Sequence, residues 1–163
     1  MFLLHSCSSS RYSIERKLKP NTGSHIVHEQ NNIIKDDNGQ LELNLHFNKL
    51  TQNTSVVFKY TDNNWLFLKE KKSIYFLFSD GDIIIISPKG NIKRNVLKNG
   101  PAKEIIKETF EALIPVGLEK KIFKTPLIGI RLDGDGRYKE YQNDIKRLQK
   151  RWKQFFKLIR ESQ

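Results

Sequence analysis

The sequence predicts an α+β fold: an antiparallel β-sheet meander with one inserted helix and a C-terminal amphipathic helix packed on the sheet. Three observations predict it. Residues 41–86 alternate short apolar runs with short polar turns, as strands joined by hairpins do. Residues 101–113 break that rhythm with an apolar period close to that of a helix. From residue 143 onward apolar side chains recur at helical spacing, flanked by lysines and arginines.

Composition sets the scale. At 163 residues the chain is the size of one domain. Hydrophobic residues make up 37% and charged residues 29%, and ten Phe, five Tyr and two Trp supply large side chains for a core. A single cysteine, Cys7, leaves no intrachain disulfide, so packing has to hold the fold. No apolar run reaches the roughly eighteen residues of a transmembrane helix. The net charge is +11, with +1 over residues 1–40, +4 over 41–100 and +6 over 101–163. That balance favours polyanions such as nucleic acid or an anionic membrane surface, and it also keeps a small protein soluble.

Taken in order, residues 1–40 read as a leader or tether, largely irregular, and residues 41–163 as a single α+β domain. Within the leader, Ser8 to Ser10, Lys19-Pro20-Asn21-Thr22-Gly23, Asn31-Asn32 and Asp36-Asp37-Asn38-Gly39 are turn-forming, with one short strand expected at His25 to His28. Leu4-His5-Ser6-Cys7 resembles the lipobox of bacterial lipoproteins, with Leu at −3, a small residue at −1 and then the cysteine. The serine run behind it resembles the flexible tether of such proteins. The resemblance implies lipidation of Cys7 and attachment to a bacterial cell envelope. It departs from the family in lacking a basic segment and a full apolar segment before the box, and in having His5 at −2.

Leu41, Leu43, Leu45 and Phe47 alternate with Glu42, Asn44 and His46, the period of a half-buried strand. Further strands are expected at residues 55–60, 65–68, 73–78 and 83–86, joined by the turns Thr61-Asp62-Asn63-Asn64, Lys69-Glu70-Lys71-Lys72 and Ser79-Asp80-Gly81-Asp82. The last two strands are apolar on both faces, which places them centrally and covers them on both sides. In 101–113, Ile105, Ile106, Thr109, Phe110 and Leu113 share a helical face behind Pro101. Residues 121–123 and 127–132 read as strands, and 137–141 as an edge strand after Asp133-Gly134-Asp135-Gly136. The closing helix begins at Asn143 or Asp144, either of which can cap it. Ile145, Leu148, Trp152, Phe155, Phe156 and Ile159 fall within an arc of roughly 100°, its core-facing side.

Beside that arc Lys146, Lys150, Lys153, Lys157 and Arg160 form one longitudinal row with no acid inside it. Cations four residues apart repel, so the row points to an anionic partner: phosphates, headgroups or an acidic protein. It is also the composition of a solvated face whose aliphatic stems cover the core edge. Arg147 and Arg151 lie on the other side of the helix. Trp152, Phe155 and Phe156 belong to the buried arc and are not available for base stacking, while Tyr75 and Tyr138 stand on strands without a ribonucleoprotein-type signature. His25, His28 and Glu29 read as surface residues, because on a strand i and i+3 face opposite ways. The Asp-Gly pairs at 80–82 and 133–136 read as turns and not as calcium loops, which need more oxygen ligands between two helices. No Gly-x-Ser-x-Gly elbow and no phosphate-cradling loop occurs, so nothing calls for a metal or a cofactor. The expectation is a non-enzymatic binding or structural module of the bacterial envelope, lipid-anchored through Cys7. The alternative is a cytoplasmic nucleic-acid- or polyanion-binding module using the basic helix.

Overall fold

The computed structural model describes residues 13–19, 23–29, 32–37, 39–98 and 104–161. Its strands are β1 (Ser13–Lys19), β2 (Gly23–Glu29), β3 (Ile33–Lys35), β4 (Gly39–Asn48), β5 (Asn53–Asp62), β6 (Ile74–Phe78), β7 (Ile83–Ile86), β8 (Pro88–Lys98), β9 (Glu104–Leu113), β10 (Leu127–Asp133) and β11 (Tyr138–Tyr141). Its helices are α1 (Val116–Lys124) and α2 (Ile145–Glu161). The strands form two antiparallel sheets. One has the order β1-β2-β4-β5-β9-β8 with β3 also paired to β4, and the other the order β11-β10-β6-β7. The α+β class and the C-terminal helix thus stand, with two sheets in place of one.

Alternation decides which side of the large sheet is covered. Leu43 pairs with Phe58 and Phe58 with Phe110, and all three point to one face. The Phe58 and Phe110 rings stack with centroids 4.8 Å apart. The small sheet turns Ile74, Phe76, Phe78, Ile130 and Leu132 to the same buried cluster, and α2 lays its aromatic arc on it. Trp152 sits 5.8 Å from Phe76 and edge-on to Phe156. All six residues of the predicted arc are buried. Each large side chain there stabilises by about 1.5–3 kcal/mol, which makes α2 part of the core.

Several elements differ from the sequence expectation. Residues 101–113 do not form the inserted helix: Glu104–Leu113 is strand β9, paired with β5 on one side and β8 on the other. Its inward residues are Ile106, Glu108, Phe110 and Ala112, and the buried Glu108 hides the alternation that marks a strand. The helix comes one step later. Pro115 stands before α1, Leu118 and Ile122 share its buried face, and Thr125-Pro126 ends it, so residues 121–123 are helical and not a strand. Residues 65–68 form no strand; they lie against the turn after β10, with a bridge from Leu68 to Gly134 and the Asp135 N–H on the Leu66 and Phe67 carbonyls. Strands β1, β2 and β3 fall in residues 13–35, read from the sequence as a largely irregular leader. β1 and β2 pair along their full seven-residue length, and β2 docks on β4, whose edge offers it backbone partners.

Among the described residues, the small sheet is covered on one face only. Tyr75 pairs with Ile85 and Leu77 with Ile83 on its outer side, where Ile83 and Ile85 are exposed. β7 is an edge strand, not the central, doubly covered strand its four isoleucines suggest. β11 is the opposite edge, as expected for residues 137–141.

Candidate functional site

The row on α2 divides into two parts. Lys146, Lys150, Lys153 and Lys157, with Gln149 and Gln154, line a shallow groove of about 350 Å³. None of the four ammonium groups has a carboxylate partner among the described residues. Arg160 lies outside this set. Its guanidinium donates to Glu119 of α1 at 2.7 Å and sits 4.7 Å from the centre of the Phe123 ring, so it ties α2 to α1. At a rise of about 1.5 Å per residue, the four lysines span about 16 Å of helix.

The groove rests on a fixed base. Gln149 is buried; its amide donates to the Ile122 and Thr125 carbonyls at 2.7 Å each, and its oxygen accepts the Leu127 N–H at 3.0 Å. That side chain joins α2 to the end of α1 and the start of β10, so the lysines project from a helix that cannot roll. The other flank of α2 is engaged with the protein. Arg147 reaches the Ile33 carbonyl at 3.4 Å and the Asp144 carboxylate at 3.4 Å, and the buried Arg151 approaches Asn32 at 3.5 Å. Asp144 precedes the helix with φ of 59°, and its carbonyl accepts the Leu148 N–H.

Two lysines elsewhere are each held by a pair of aspartates. Lys121 binds both Asp80 and Asp82, which raises the lysine above its ordinary pKa. The Lys121 hydrogen bond holds the Asp80 carboxyl below the usual range. These aspartates serve an ammonium, and Gly81 takes the positive φ their turn requires. Burial disfavours the charge on Lys139, but its bonds to Asp36 at 2.7 Å and Asp62 at 2.9 Å outweigh that and raise its pKa. Burial pushes both Tyr60 and Tyr141 well above the usual tyrosine range.

Two groups were not legible in the sequence. Glu108 on β9 is completely buried, and its carboxylate accepts the N–H groups of Leu66, Phe67 and Leu68 at 2.9, 2.7 and 3.0 Å. Arg94 on β8 donates to the same carboxylate at 3.3 Å and to the Leu68 carbonyl at 3.1 Å. The three loop donors lie forty to forty-two positions from Glu108 and Arg94 lies fourteen, and no local pattern signals that. On the outer face of the small sheet, the Arg131 guanidinium lies 4.1 Å from the Tyr138 ring centre and 5.4 Å from that of Tyr75, with Asp133 at 2.7 Å. The sequence pointed to Tyr75 and Tyr138 as strand residues but gave no sign of the arginine between them.

Cys7 lies outside the described residues, as do the side chains of His25, His28 and Glu29. No helix among the described residues is long and apolar enough to cross a membrane. Comparison of the chain with protein-family models, curated proteins and solved structures finds no match.

Proposed function

We propose that the chain is a non-enzymatic binding module that docks a polyanion along α2. One observation supports this reading above the rest: Lys146, Lys150, Lys153 and Lys157 share one groove without a carboxylate partner among the described residues. Repulsion between neighbours four apart costs about 0.2–0.5 kcal/mol a pair, so folding stability does not explain the row. A polyphosphate, an anionic bilayer or a nucleic-acid backbone would relieve it by displacing counterions. Binding of inorganic polyphosphate, measured against salt concentration, tests the proposal. Lys150→Glu combined with Lys157→Glu should weaken binding more than tenfold and flatten the salt dependence. Unchanged affinity in that variant overturns it.

A second reading rests on Leu4-His5-Ser6-Cys7. It places the chain on a bacterial envelope through a lipidated Cys7. Mass spectrometry of the native protein decides it, since an unmodified Met1 together with full recovery in the aqueous phase of a detergent partition excludes the anchor.

A further inference from the structure

A second surface, apart from the lysine groove, is built on the loop between β5 and β6. Trp65 and Phe67 stack there with centroids 5.2 Å apart and planes 18° from parallel. Trp65 is half-buried and Phe67 is 47% exposed. The Arg94 guanidinium lies 5.9 Å from the centre of the Phe67 ring.

Neither propensity nor burial explains a phenylalanine at this position. Its φ is 52°, in the left-handed region that bulky residues avoid and that glycine or asparagine adopt readily. The ring recovers little by burial. The backbone is held in place regardless, by the three N–H bonds to Glu108 and by Asp135, whose N–H reaches the Leu66 and Phe67 carbonyls at 3.2 and 3.0 Å. Gly134 admits the loop: a Cβ there would stand 1.8 Å from the Leu66 carbonyl oxygen. A rigid, strained mount that presents the Phe67 ring to solvent, stacked on a half-buried Trp65, is what a binding platform needs.

The surroundings select the ligand. The same loop continues through Lys69-Glu70-Lys71-Lys72, all exposed and net basic, and its three lysines have no carboxylate partner among the described residues. Planar rings beside cations favour a ligand that carries flat π-faces and negative charge along one chain.

We propose that Trp65 and Phe67 form a stacking platform for unpaired bases of a single-stranded nucleic acid, with Lys69, Lys71 and Lys72 supplying charge for its phosphates. Duplex DNA does not expose base faces and binds here only through charge. The platform does not depend on the α2 groove, and its readout is separate. Trp152 is fully buried, so a ligand-induced change in indole emission reports Trp65.

The test is a fluorescence titration of the full chain with an oligothymidylate of about twelve nucleotides, the length such a surface covers. Inorganic polyphosphate, thymidine monophosphate and polyglutamate are titrated in parallel. The oligothymidylate should quench Trp65, and polyphosphate and polyglutamate should not. Thymidine monophosphate should bind at least a hundredfold more weakly than the oligomer. Trp65→Ala and Phe67→Gly should each lower oligomer affinity about tenfold or more. The second of these relieves the φ strain, so misfolding does not mimic the effect. Trp65→Phe should keep most of the affinity and lose the quench. Lys150→Glu with Lys157→Glu should leave the quench in place even if polyphosphate binding disappears. Equal quenching by polyphosphate, tighter binding of polyglutamate, monophosphate binding as tight as the oligomer, or wild-type affinity in Phe67→Gly would each overturn the platform.

Discussion

The Glu108 carboxylate accepts the backbone N–H of Phe67 at 2.7 Å, joining the middle of β9 to a loop forty-one residues earlier. The acid is fully buried, and all of its bonds go to backbone N–H groups or to Arg94. Glu108→Gln should therefore destabilise the fold well beyond an average substitution. Its amide nitrogen would face the donors of Leu68 and Arg94, and lost charged hydrogen bonds cost about 1.5–3 kcal/mol each. Urea unfolding should show a loss of about 3–5 kcal/mol.

Phe67 and Phe58 should respond oppositely to truncation. Phe58 is fully buried against Phe110, and Phe58→Ala should cost about 3–5 kcal/mol. Phe67→Gly exchanges an exposed ring for a residue at ease with φ of 52°, and stability should stay within about 1 kcal/mol of the parent. Thermal unfolding of the two variants side by side checks the contrast.

Gly134 is required by the approach of the Leu66 backbone. In Gly134→Ala the new methyl would overlap a carbonyl oxygen that cannot rotate away. The expected loss is about 3 kcal/mol or more, with altered Trp65 emission because the loop must lift from β10.

Alkaline pH should unfold the protein through its buried tyrosines. Tyr60 and Tyr141 are raised chiefly by burial. The unfolded chain ionises both near pH 10, whereas the native state keeps their protons. Their contribution is complete below about pH 10 and falls as pH rises, by about 1.4 kcal/mol per pH unit for each tyrosine. The Tyr141 hydroxyl is buried and has no hydrogen-bond partner among the described residues. Tyr141→Phe should accordingly hold or raise stability at neutral pH by up to about 1 kcal/mol and halve the tyrosine part of the alkaline slope. Urea midpoints at about pH 9 and pH 11 measure both effects.

Arg160 and Lys150 lie in one row on the helix but should behave differently. Arg160 is engaged with Glu119 and Phe123, so Arg160→Ala should cost up to about 1 kcal/mol of stability with little change in polyphosphate affinity. Lys150→Ala should hold or raise stability by up to about 0.5 kcal/mol and weaken polyphosphate binding severalfold. Parallel unfolding and binding curves separate the two roles.

Local pattern was enough for much of the fold. Period-2 alternation marked β4, the Asp-Gly turn marked the β6–β7 hairpin, and the 100° arc placed every apolar core residue of α2, though not the buried Gln149 and Arg151. These features arise from neighbours a few residues apart, within the reach of a sequence. Where one buried charge interrupted the pattern, at Glu108, β9 resembled a helix. Where a buried pair such as Leu118 and Ile122 was short, α1 resembled a strand.

The sequence by itself determined the class, the basic balance and the two faces of α2. Only the tertiary structure decided which cations remain open. Glu119 reaches Arg160 from another helix, while among the described residues no acid reaches Lys150, and that depends on how α1 packs against α2. It also placed Arg94 and Glu108 under Phe67, because pairing of β8 with β9 sets the two side by side and the Glu108 carboxylate then captures a loop some forty residues away.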